Sequence, residues 1–190
     1  MDIDLSYGCN NLINTPLWNL IQEKLNDVNL QWEDAKSFQT EGRKNIRKTK
    51  VAWLGDNYLR ECLFNSINLF NQQHWNYDLA GCDEIQYGIY SDGGHYNWHS
   101  DIETIPLKID DKIFCRKLSM SIWLNDPDEY EGGEFDIEVE GPYKDLRYNT
   151  LKLSKGSIII FPSDKWHRVR PVTSGERKSL VTWFRGPPFR

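Results

Sequence analysis

The sequence predicts a mainly β fold with supporting helices (α+β), in which a double-sheet, cupin-like jelly roll packs against N-terminal helices. Apolar residues recur at helical spacing in the first 80 residues, whereas short β-branched or aromatic runs separated by Gly, Pro, Asp and Asn follow from residue 84 onward. A chain of 190 residues is the size of one ordinary domain. We therefore predict a single domain over 1–190, with a helical support region at 1–80 and the jelly-roll core at 81–190.

Two helices and one strand are predicted in the support region. Thr15 is the expected N-cap and Pro16 the first residue of a helix that continues to about residue 29. A strand at 51–54 and a second helix at about 57–72 follow. The apolar faces of the two helices comprise Leu17, Leu20, Ile21, Leu25 and Val28, and then Leu59, Cys62, Leu63, Ile67 and Phe70. We expect both helices to pack on one side of a sheet.

Short strands separated by turn residues are predicted in the core region, at 84–90, 95–101, 114–125, 134–140, 157–161, 166–171 and 178–184. This spacing is typical of a sandwich or a double-sheet jelly roll whose interior can hold a metal. The long loop at 102–112 is a candidate lid or substrate-binding segment. The basic stretch at 43–50 is interpreted as a solvated approach to a strand in preference to a binding patch.

Composition narrows the class of protein. With 28 acidic against 23 basic residues the net charge is −5, which argues against a protein whose main partner is nucleic acid. The four cysteines form no CxxC pair, so neither a zinc site nor a redox motif is predicted. No apolar run approaches the roughly 18 residues of a membrane span, and the N-terminus has no signal-peptide pattern. We therefore expect a soluble, cytoplasmic protein.

An HxD motif is formed by His99, Ser100 and Asp101. On a strand, His99 and Asp101 point to the same face and can reach one ion, while Ser100 points away. His95 lies four residues before His99, as in a helical zinc motif, but a zinc metalloprotease requires Glu directly after its first His, and Tyr96 stands there. The HxD tripeptide alone is common by chance, so the motif needs a distal partner.

A second His and an Arg lie far downstream. His167 follows an apolar strand, where a hydrogen-bonded structural His is the commoner interpretation. We interpret 172–176 as a hairpin connection, which would pair Arg177 opposite Pro171 on the face of His167. A buried Arg there requires an anion, and a carboxylate-bearing co-substrate supplies it. Two His and one carboxylate are the ligand set of non-haem Fe(II) oxygenases.

Several further motifs accompany these residues: Tyr90, Gly94, Tyr96, Arg116, 118–125, 130–134, 156–167 and Trp183. Together with the HxD motif, His167 and Arg177, they resemble the Fe(II)- and 2-oxoglutarate-dependent dioxygenases, and within these the prolyl 4-hydroxylase group and the bacterial PKHD-type hydroxylases. The resemblance covers about residues 50–184 and implies a double-stranded β-helix. Residues 1–40 carry no such resemblance.

The resemblance implies a role for each matched residue. His99, Asp101 and His167 would bind Fe(II), and Arg177 would pair with the distal carboxylate of 2-oxoglutarate. Collagen-type enzymes have Lys where Arg177 stands. Other co-substrate contacts are expected from Tyr90, Ser121 and Ser179, and substrate-side positions from Tyr96, Arg116 and Trp183, although Trp183 also suits an ordinary core position.

The implied reaction is insertion of one atom of O2 into a substrate C–H bond, with 2-oxoglutarate converted to succinate and CO2 and ascorbate as a candidate reductant. A prolyl residue in a peptide or protein is the leading expectation for the target, and a free amino acid or other small molecule is the second. The basic stretch at 43–50 and the loop at 102–112 are candidate walls of a groove for an acidic or Pro-rich peptide.

Two further alternatives stay open. Nucleic-acid demethylases of the same superfamily carry a second Arg six residues after the co-substrate Arg, and Trp183 stands at that position here. In a non-enzymatic cupin-like binding domain, the His and Asp residues would be merely structural. Formation of succinate from 2-oxoglutarate would separate an enzyme from such a domain.

Overall fold

The computed structural model describes residues 6–27, 29–35, 46–102, 107–139 and 147–189. Two helices and fifteen strands lie in these ranges, so the predicted mainly β fold with supporting helices is confirmed. The strands form two sheets that face each other, as in a double-stranded β-helix. None of the helices in the described ranges is long and apolar enough to cross a membrane.

The larger sheet has ten strands. They are β1 (Gly8–Asn11), β2 (Glu33–Asp34), β4 (Lys50–Leu54), β5 (Gly81–Cys82), β6 (Ile85–Ser91), β8 (Leu107–Ile109), β9 (Lys112–Trp123), β10 (Tyr130–Gly132), β13 (Ser157–Pro162) and β15 (Val172–Gly186). Its main order is β1-β13-β9-β15-β6-β4-β2, while β5 and β10 pair with β15 and β8 pairs with β9.

The smaller sheet has five strands in the order β12-β11-β14-β7-β3. They are β3 (Arg47–Lys48), β7 (His95–His99), β11 (Phe135–Glu138), β12 (Tyr148–Leu151) and β14 (His167–Val169). Because β14 lies between β11 and β7, its residues contact both neighbours, and His167 is in register with His99.

Both helices pack on the outer face of the larger sheet, as expected. Helix α1 (Pro16–Asp27) begins after Thr15, whose hydroxyl accepts the N–H of Trp18 at 3.1 Å. Helix α2 (Asn57–His74) begins after Asp56, whose carboxylate accepts the N–H of Leu59 at 2.7 Å, and it ends two residues beyond the predicted position 72. Val28, predicted on the face of the first helix, lies outside the described residues.

Successive side chains of the long strands point to opposite faces of the larger sheet, so the core is divided between these two faces. In β9, Leu118 and Ile122 contact the helices, whereas Trp123 packs between the sheets. In β13, Ile158 and Ile160 face the helices, and Ile159 and Phe161 face the smaller sheet. Strand β13 is apolar at nearly every position because both of its faces are covered.

The predicted hairpin at 172–176 is wrong. Val172 begins β15, which places Arg177 in register with Tyr90 of β6, not with Pro171. The chain crosses from the smaller sheet to the larger one around Pro171, so β14 and β15 belong to different sheets and cannot pair. Arg177 therefore approaches the interior from the sheet opposite to His167.

Two other predicted boundaries change. Strand β7 ends at His99, so Asp101 lies just beyond the strand, and its N–H donates to the carbonyl of Ser163 at 2.9 Å. The predicted loop at 102–112 contains β8, which forms a hairpin with β9 through Asp110 and Asp111, both of positive φ. Residues 103–106 of that loop, positions 140–146 and the first part of the basic stretch lie outside the described residues. A lid role for the loop stays a prediction.

Candidate active site

A cavity of about 630 Å³ lies between the two sheets. It is lined by all ten residues that the sequence suggested for the site: Tyr90, Tyr96, His99, Asp101, Arg116, Ser121, His167, Arg177, Ser179 and Trp183. Phe135, Phe161 and Val169 add apolar wall between them. Such a volume is within the range of pockets that hold small organic ligands.

His99, Asp101 and His167 form one cluster of metal-ligand type in this cavity. Their ligand atoms lie within 4.8 Å of one another, and each residue is more than nine-tenths buried. The Nε2 atom of His99 is 3.7 Å from Oδ1 of Asp101, and the Nε2 atom of His167 is 3.5 Å from Oδ2. Three donors that converge from β7, the segment after it and β14 can hold one ion.

Backbone carbonyls fix the orientation of both imidazoles. The Nδ1 atom of His99 is 2.8 Å from the carbonyl oxygen of Asn97, and the Nδ1 atom of His167 is 3.0 Å from that of Lys165. A carbonyl oxygen only accepts, so Nδ1 carries the hydrogen in each ring and Nε2 is left as a ligand atom.

The cluster is electrostatically prepared for a cation. Burial, together with the nearby His167, lowers the pKa of His99 to about 3, although Asp101 opposes this shift. Burial alone would raise the pKa of Asp101, but His167, His99 and Arg116 outweigh it and lower that pKa to about 2. At neutral pH the cluster therefore contains a neutral His99 and an ionised Asp101, which are the protonation states required of metal ligands.

Arg177 extends into the cavity from β15 with its charge unbalanced. Its side chain is 1% exposed, its Nη1 donates to the hydroxyl of Ser179 at 3.1 Å, and its Nε and Nη2 have no hydrogen-bond partner among the described residues. Burial lowers the pKa of Arg177, while Tyr90 and Tyr130 act in the opposite direction. No carboxylate in the described ranges forms an ion pair with it, so its charge is not balanced by those residues.

Close packing surrounds this guanidinium. It lies 5.1 Å from the ring centroid of Trp123 and 5.4 Å from that of Tyr90. A Cβ atom added at Gly133, which has φ +66°, would be 3.1 Å from Cδ of Arg177. The Gly-Gly motif at 132–133 is thus explained in part by the passage of the Arg177 side chain.

The remaining sequence-predicted residues divide between two ends of the cavity. Tyr90 and Ser179 lie beside Arg177, and Ser121 lies on the neighbouring strand β9, opposite Val181 of β15. Tyr96 stacks on the imidazole of His99 with ring centroids 3.4 Å apart. Ser121 is thus level with Gln86 of β6 and not with Arg177, and the roles of all these residues stay proposals.

Arg116 and Trp183 are more constrained than expected of free substrate contacts. The guanidinium of Arg116 lies 3.8 Å from the ring centroid of Trp183, and its Nε donates to the carboxylate of Asp83 at 3.3 Å. Trp183 is 7% exposed, yet it lines the cavity. Arg116 therefore has a carboxylate partner, which it shares with Arg185, whereas Arg177 has none in the described ranges.

Gln86 and Arg47 also line the cavity; sequence reasoning missed Gln86 and included Arg47 only in the basic stretch at 43–50, a candidate groove wall. Arg47, assigned to a solvated basic stretch, donates through Nη2 to the amide oxygen of Gln86 at 2.6 Å. The strand period could have found Gln86, because it lies four residues before Tyr90 on the same face of β6. The basic stretch did not single out Arg47, because its position depends on the pairing of β3 with β7.

A jelly roll with two His and one carboxylate inside it defines the class of cupin-like metal-binding proteins to which non-haem Fe(II) oxygenases belong. The sequence model of the 2OG-Fe(II) oxygenase superfamily matches residues 85–185. The chain belongs to that superfamily.

Relatives and structural neighbours agree with this membership. A PKHD-type hydroxylase of Psychrobacter is 31% identical over 183 residues, a match that covers 91% of this chain and 66% of that protein. Matches to PKHD-type hydroxylases of Pseudoalteromonas atlantica and Acidovorax ebreus, 32% and 37% identical, cover 52% of this chain and 41% of those proteins, so the chain spans only part of the relatives it matches.

The fold resembles solved prolyl hydroxylases. A Pseudomonas putida prolyl-4-hydroxylase superposes with a TM-score of 0.64 at 20% identity, covering 96% of this chain and 94% of that one. A prolyl hydroxylase from Trichoplax adhaerens, solved with a peptide fragment of hypoxia inducible factor, has a TM-score of 0.64 at 18% identity and covers 94% of this chain and 83% of that one.

Proposed function

We propose that this protein is an Fe(II)- and 2-oxoglutarate-dependent hydroxylase. The observation that supports this most is the buried Arg177, whose guanidinium has no carboxylate partner among the described residues and lines the same cavity as the His-Asp-His cluster. A cation site and an unbalanced buried Arg in one cavity suit a co-substrate with a chelating end and a distal carboxylate. 2-Oxoglutarate has both.

The residues present fit Fe(II) as well as the co-substrate. His99, Asp101 and His167 would hold the ion through two neutral imidazoles and one carboxylate, which leaves coordination positions open for other ligands. When bound, Fe(II) supplies the one-electron and O2 chemistry that no side chain can provide, with oxidation of 2-oxoglutarate to succinate and CO2.

The chain's own contribution is to bind, orient and exclude water. Arg177 would form a bidentate pair with the distal carboxylate, and Ser179 already holds one of its nitrogens. Phe135 and Phe161 pack against the ring of His167 with centroids 5.5 and 4.8 Å away, so that ligand is held in an apolar environment. The carbonyls of Asn97 and Lys165 keep both Nε2 atoms directed at the ion.

A prolyl residue of a peptide or protein is the proposed target. Supporting it are relatives named PKHD-type hydroxylases and neighbours named prolyl hydroxylases, one of them solved with a bound peptide. Trp53, which is 43% exposed, and Ile102, which is 40% exposed, line the cavity as well, so the cavity reaches the surface where a peptide can enter.

Succinate formation from 2-oxoglutarate with Fe(II), and a gain of one oxygen atom on Pro-containing peptides measured by mass spectrometry, test the proposal. Both are expected for the wild type and lost in His99→Ala. His95→Ala is a matched control, because His95 is on the same strand but does not line the cavity. If the Fe(II)-loaded wild type neither binds nor consumes 2-oxoglutarate, the proposed function is wrong.

A further inference from the structure

Arg47 is a second positively charged residue in the cavity wall that forms no ion pair with a carboxylate of the described residues. It lies on the edge strand β3, and its guanidinium is 4.6 Å from the centroid of the Tyr96 ring. Its only hydrogen bond to a side chain in the described ranges goes to the neutral amide of Gln86, and its buried Nε has no partner there. Both contacts are with uncharged groups, so they leave the charge of Arg47 unbalanced.

The other charged groups of the cavity are already assigned. Arg116 is paired with Asp83, and Glu33 is exposed and accepts the indole N–H of Trp53 at 3.2 Å. Under the proposed function, the charges of Fe(II), Asp101, Arg177 and the dianion of 2-oxoglutarate sum to zero. Arg47 is then a cavity-lining cation that forms no ion pair in the described ranges.

Arg47 also lies at a different end of the cavity from Arg177. Its partner Gln86 is in register with Val181, whereas Arg177 is in register with Tyr90, four residues further along β6. Four residues of strand correspond to roughly 13 Å. Both carboxylates of 2-oxoglutarate would be engaged at the metal and at Arg177, so the anion that suits Arg47 belongs to a second molecule.

We propose that Arg47 binds a carboxylate of the substrate to be hydroxylated, and so determines specificity for an acidic substrate. The stack of Arg47 on Tyr96, and of Tyr96 on His99, places this carboxylate on the side of the metal site away from Arg177. Only Nη2 of this planar guanidinium donates to a side chain in the described ranges, so further donors remain that a carboxylate can accept. This inference rests on the proposed function for the identity of the second molecule.

The carboxylate can come from a small acid, a peptide C-terminus or an acidic side chain. Two pairs of probes separate these sources: N-acetyl-L-proline against N-acetyl-L-prolinamide, and acetyl-Gly-Pro-Glu-amide against acetyl-Gly-Pro-Gln-amide. Binding is measured by Trp fluorescence or calorimetry with protein loaded anaerobically with Fe(II) and 2-oxoglutarate. Preference within the first pair indicates a free carboxylate, and preference within the second indicates an acidic residue.

In the wild type, the carboxylate member of at least one pair is expected to bind about 10-fold tighter or more, because a charge-assisted, bidentate pair is lost with the amide. Arg47→Gln should reduce that ratio to near one. Lys48→Gln is the control: it removes a neighbouring charge that lies outside the cavity lining and should keep the ratio. If Arg47 only supported Tyr96, its substitution would not change the ratio of the affinities for the acid and the amide.

Equal affinity for both members of both pairs in the wild type, including no binding at all, overturns the inference, as does a preference that survives in Arg47→Gln. Should that variant not fold, Arg47→Lys is the second test. It keeps the charge but loses the planar guanidinium, so it must lower the ratio of acid to amide affinities. The same titrations report 2-oxoglutarate binding. If 2-oxoglutarate binds but no acid preference is found, only the role of Arg47 fails, whereas absence of 2-oxoglutarate binding contradicts the proposed function itself.

Discussion

Asp136 and Asp101 are two buried carboxylates that flank the same strand, β14, on its two faces. His167 faces the cavity with Asp101, and the next residue, Arg168, points to the opposite face and donates to Asp136 at 2.6 Å. The side chain of Asp136 is fully buried and that of Asp101 is 9% exposed. Alternation along one short strand thus serves a structural cluster and the candidate active site.

The cluster around Asp136 is complete within the chain. Besides Arg168, the Nε of Arg170 donates to Asp136 at 2.9 Å and the hydroxyl of Thr150 donates at 2.7 Å. Burial raises the pKa of Asp136, but the hydrogen bonds from Arg170, Thr150 and Arg168 outweigh it and lower the pKa overall. This carboxylate needs no ligand.

The cluster around Asp101 is incomplete by comparison. Its nearest basic groups are two imidazoles, of which His99 is neutral, and it forms no ion pair with Lys or Arg among the described residues. Arg177, in the same cavity, has no carboxylate in those ranges. Charges that the fold buries without balancing them indicate where a ligand must bind, because burial of an unpaired charge is costly.

Asp→Asn substitutions at positions 101 and 136 test this difference between the two clusters directly. Of all the variants, Asp101→Asn should have the largest effect. It removes the only anionic ligand of the cluster, so Fe(II) affinity and 2-oxoglutarate turnover should fall by more than about 100-fold, since groups that only support a ligand already contribute about 10- to 100-fold. Metal titration and succinate formation measure this. Turnover within about 10-fold of the wild type would show that Asp101 is not a ligand.

Removal of the unbalanced guanidinium should have the next largest effect. Arg177→Gln is expected to weaken 2-oxoglutarate binding by about 10- to 100-fold, as hydrogen bonds to a charged group contribute about 1.5–3 kcal/mol. Without 2-oxoglutarate the variant should be as stable as the wild type or more so, because an unpaired buried charge is removed. Calorimetry and thermal unfolding check both parts, and a marked loss of stability without ligand would indicate an internal partner for Arg177.

Asp136→Asn should have the opposite effect, lowering the stability of the protein without weakening ligand binding. Breaking a buried ion pair costs about 3–5 kcal/mol, and the cost here should be nearer about 2–3 kcal/mol because the side chains of Arg168 and Arg170 are 29% and 35% exposed. Denaturant unfolding measures it. The folded variant should keep its affinity for Fe(II), and loss of metal binding without loss of stability would contradict the division between the two clusters.

The contribution of Asp136 should depend on pH. Its pKa in the folded protein is lowered from 3.8, so its stabilisation is fully present well above that value and is lost as pH falls through the folded pKa. The difference in unfolding free energy between the wild type and Asp136→Asn should therefore be constant from about pH 6 to 8 and shrink below about pH 4. A difference that grows on acidification would contradict this.

Thr150→Val should have the smallest effect. It removes one neutral donor from Asp136 and the acceptor of an exposed hydrogen bond from Arg170, but leaves both ion pairs in place, so a loss of about 1 kcal/mol in unfolding free energy is expected. Activity should not change, because Thr150 does not line the cavity. A loss as large as that of Asp136→Asn would mean that the hydroxyl, and not the ion pairs, holds the cluster together.

The local sequence pattern was sufficient to predict much of the fold. The cap at Thr15, the apolar faces of both helices and the apolar strand at 157–162 were predictable because each depends on residues close in sequence. The alternation that puts Tyr90 and Gln86 on one face of β6 is equally local. The hairpin at 172–176 was not predictable, since loop length alone does not reveal that the chain changes sheets at that point.

The sequence by itself determined the ligand chemistry of this protein: two His, one carboxylate and one Arg, in motifs specific enough to indicate a family. Only the tertiary structure decided how these groups meet. Arg177 reaches the cavity from the sheet opposite to His167, and Arg47 reaches it from an edge strand that pairs with β7. Side-chain chemistry is a property of each residue, whereas whether a buried charge has a partner depends on strands that are far apart in the chain.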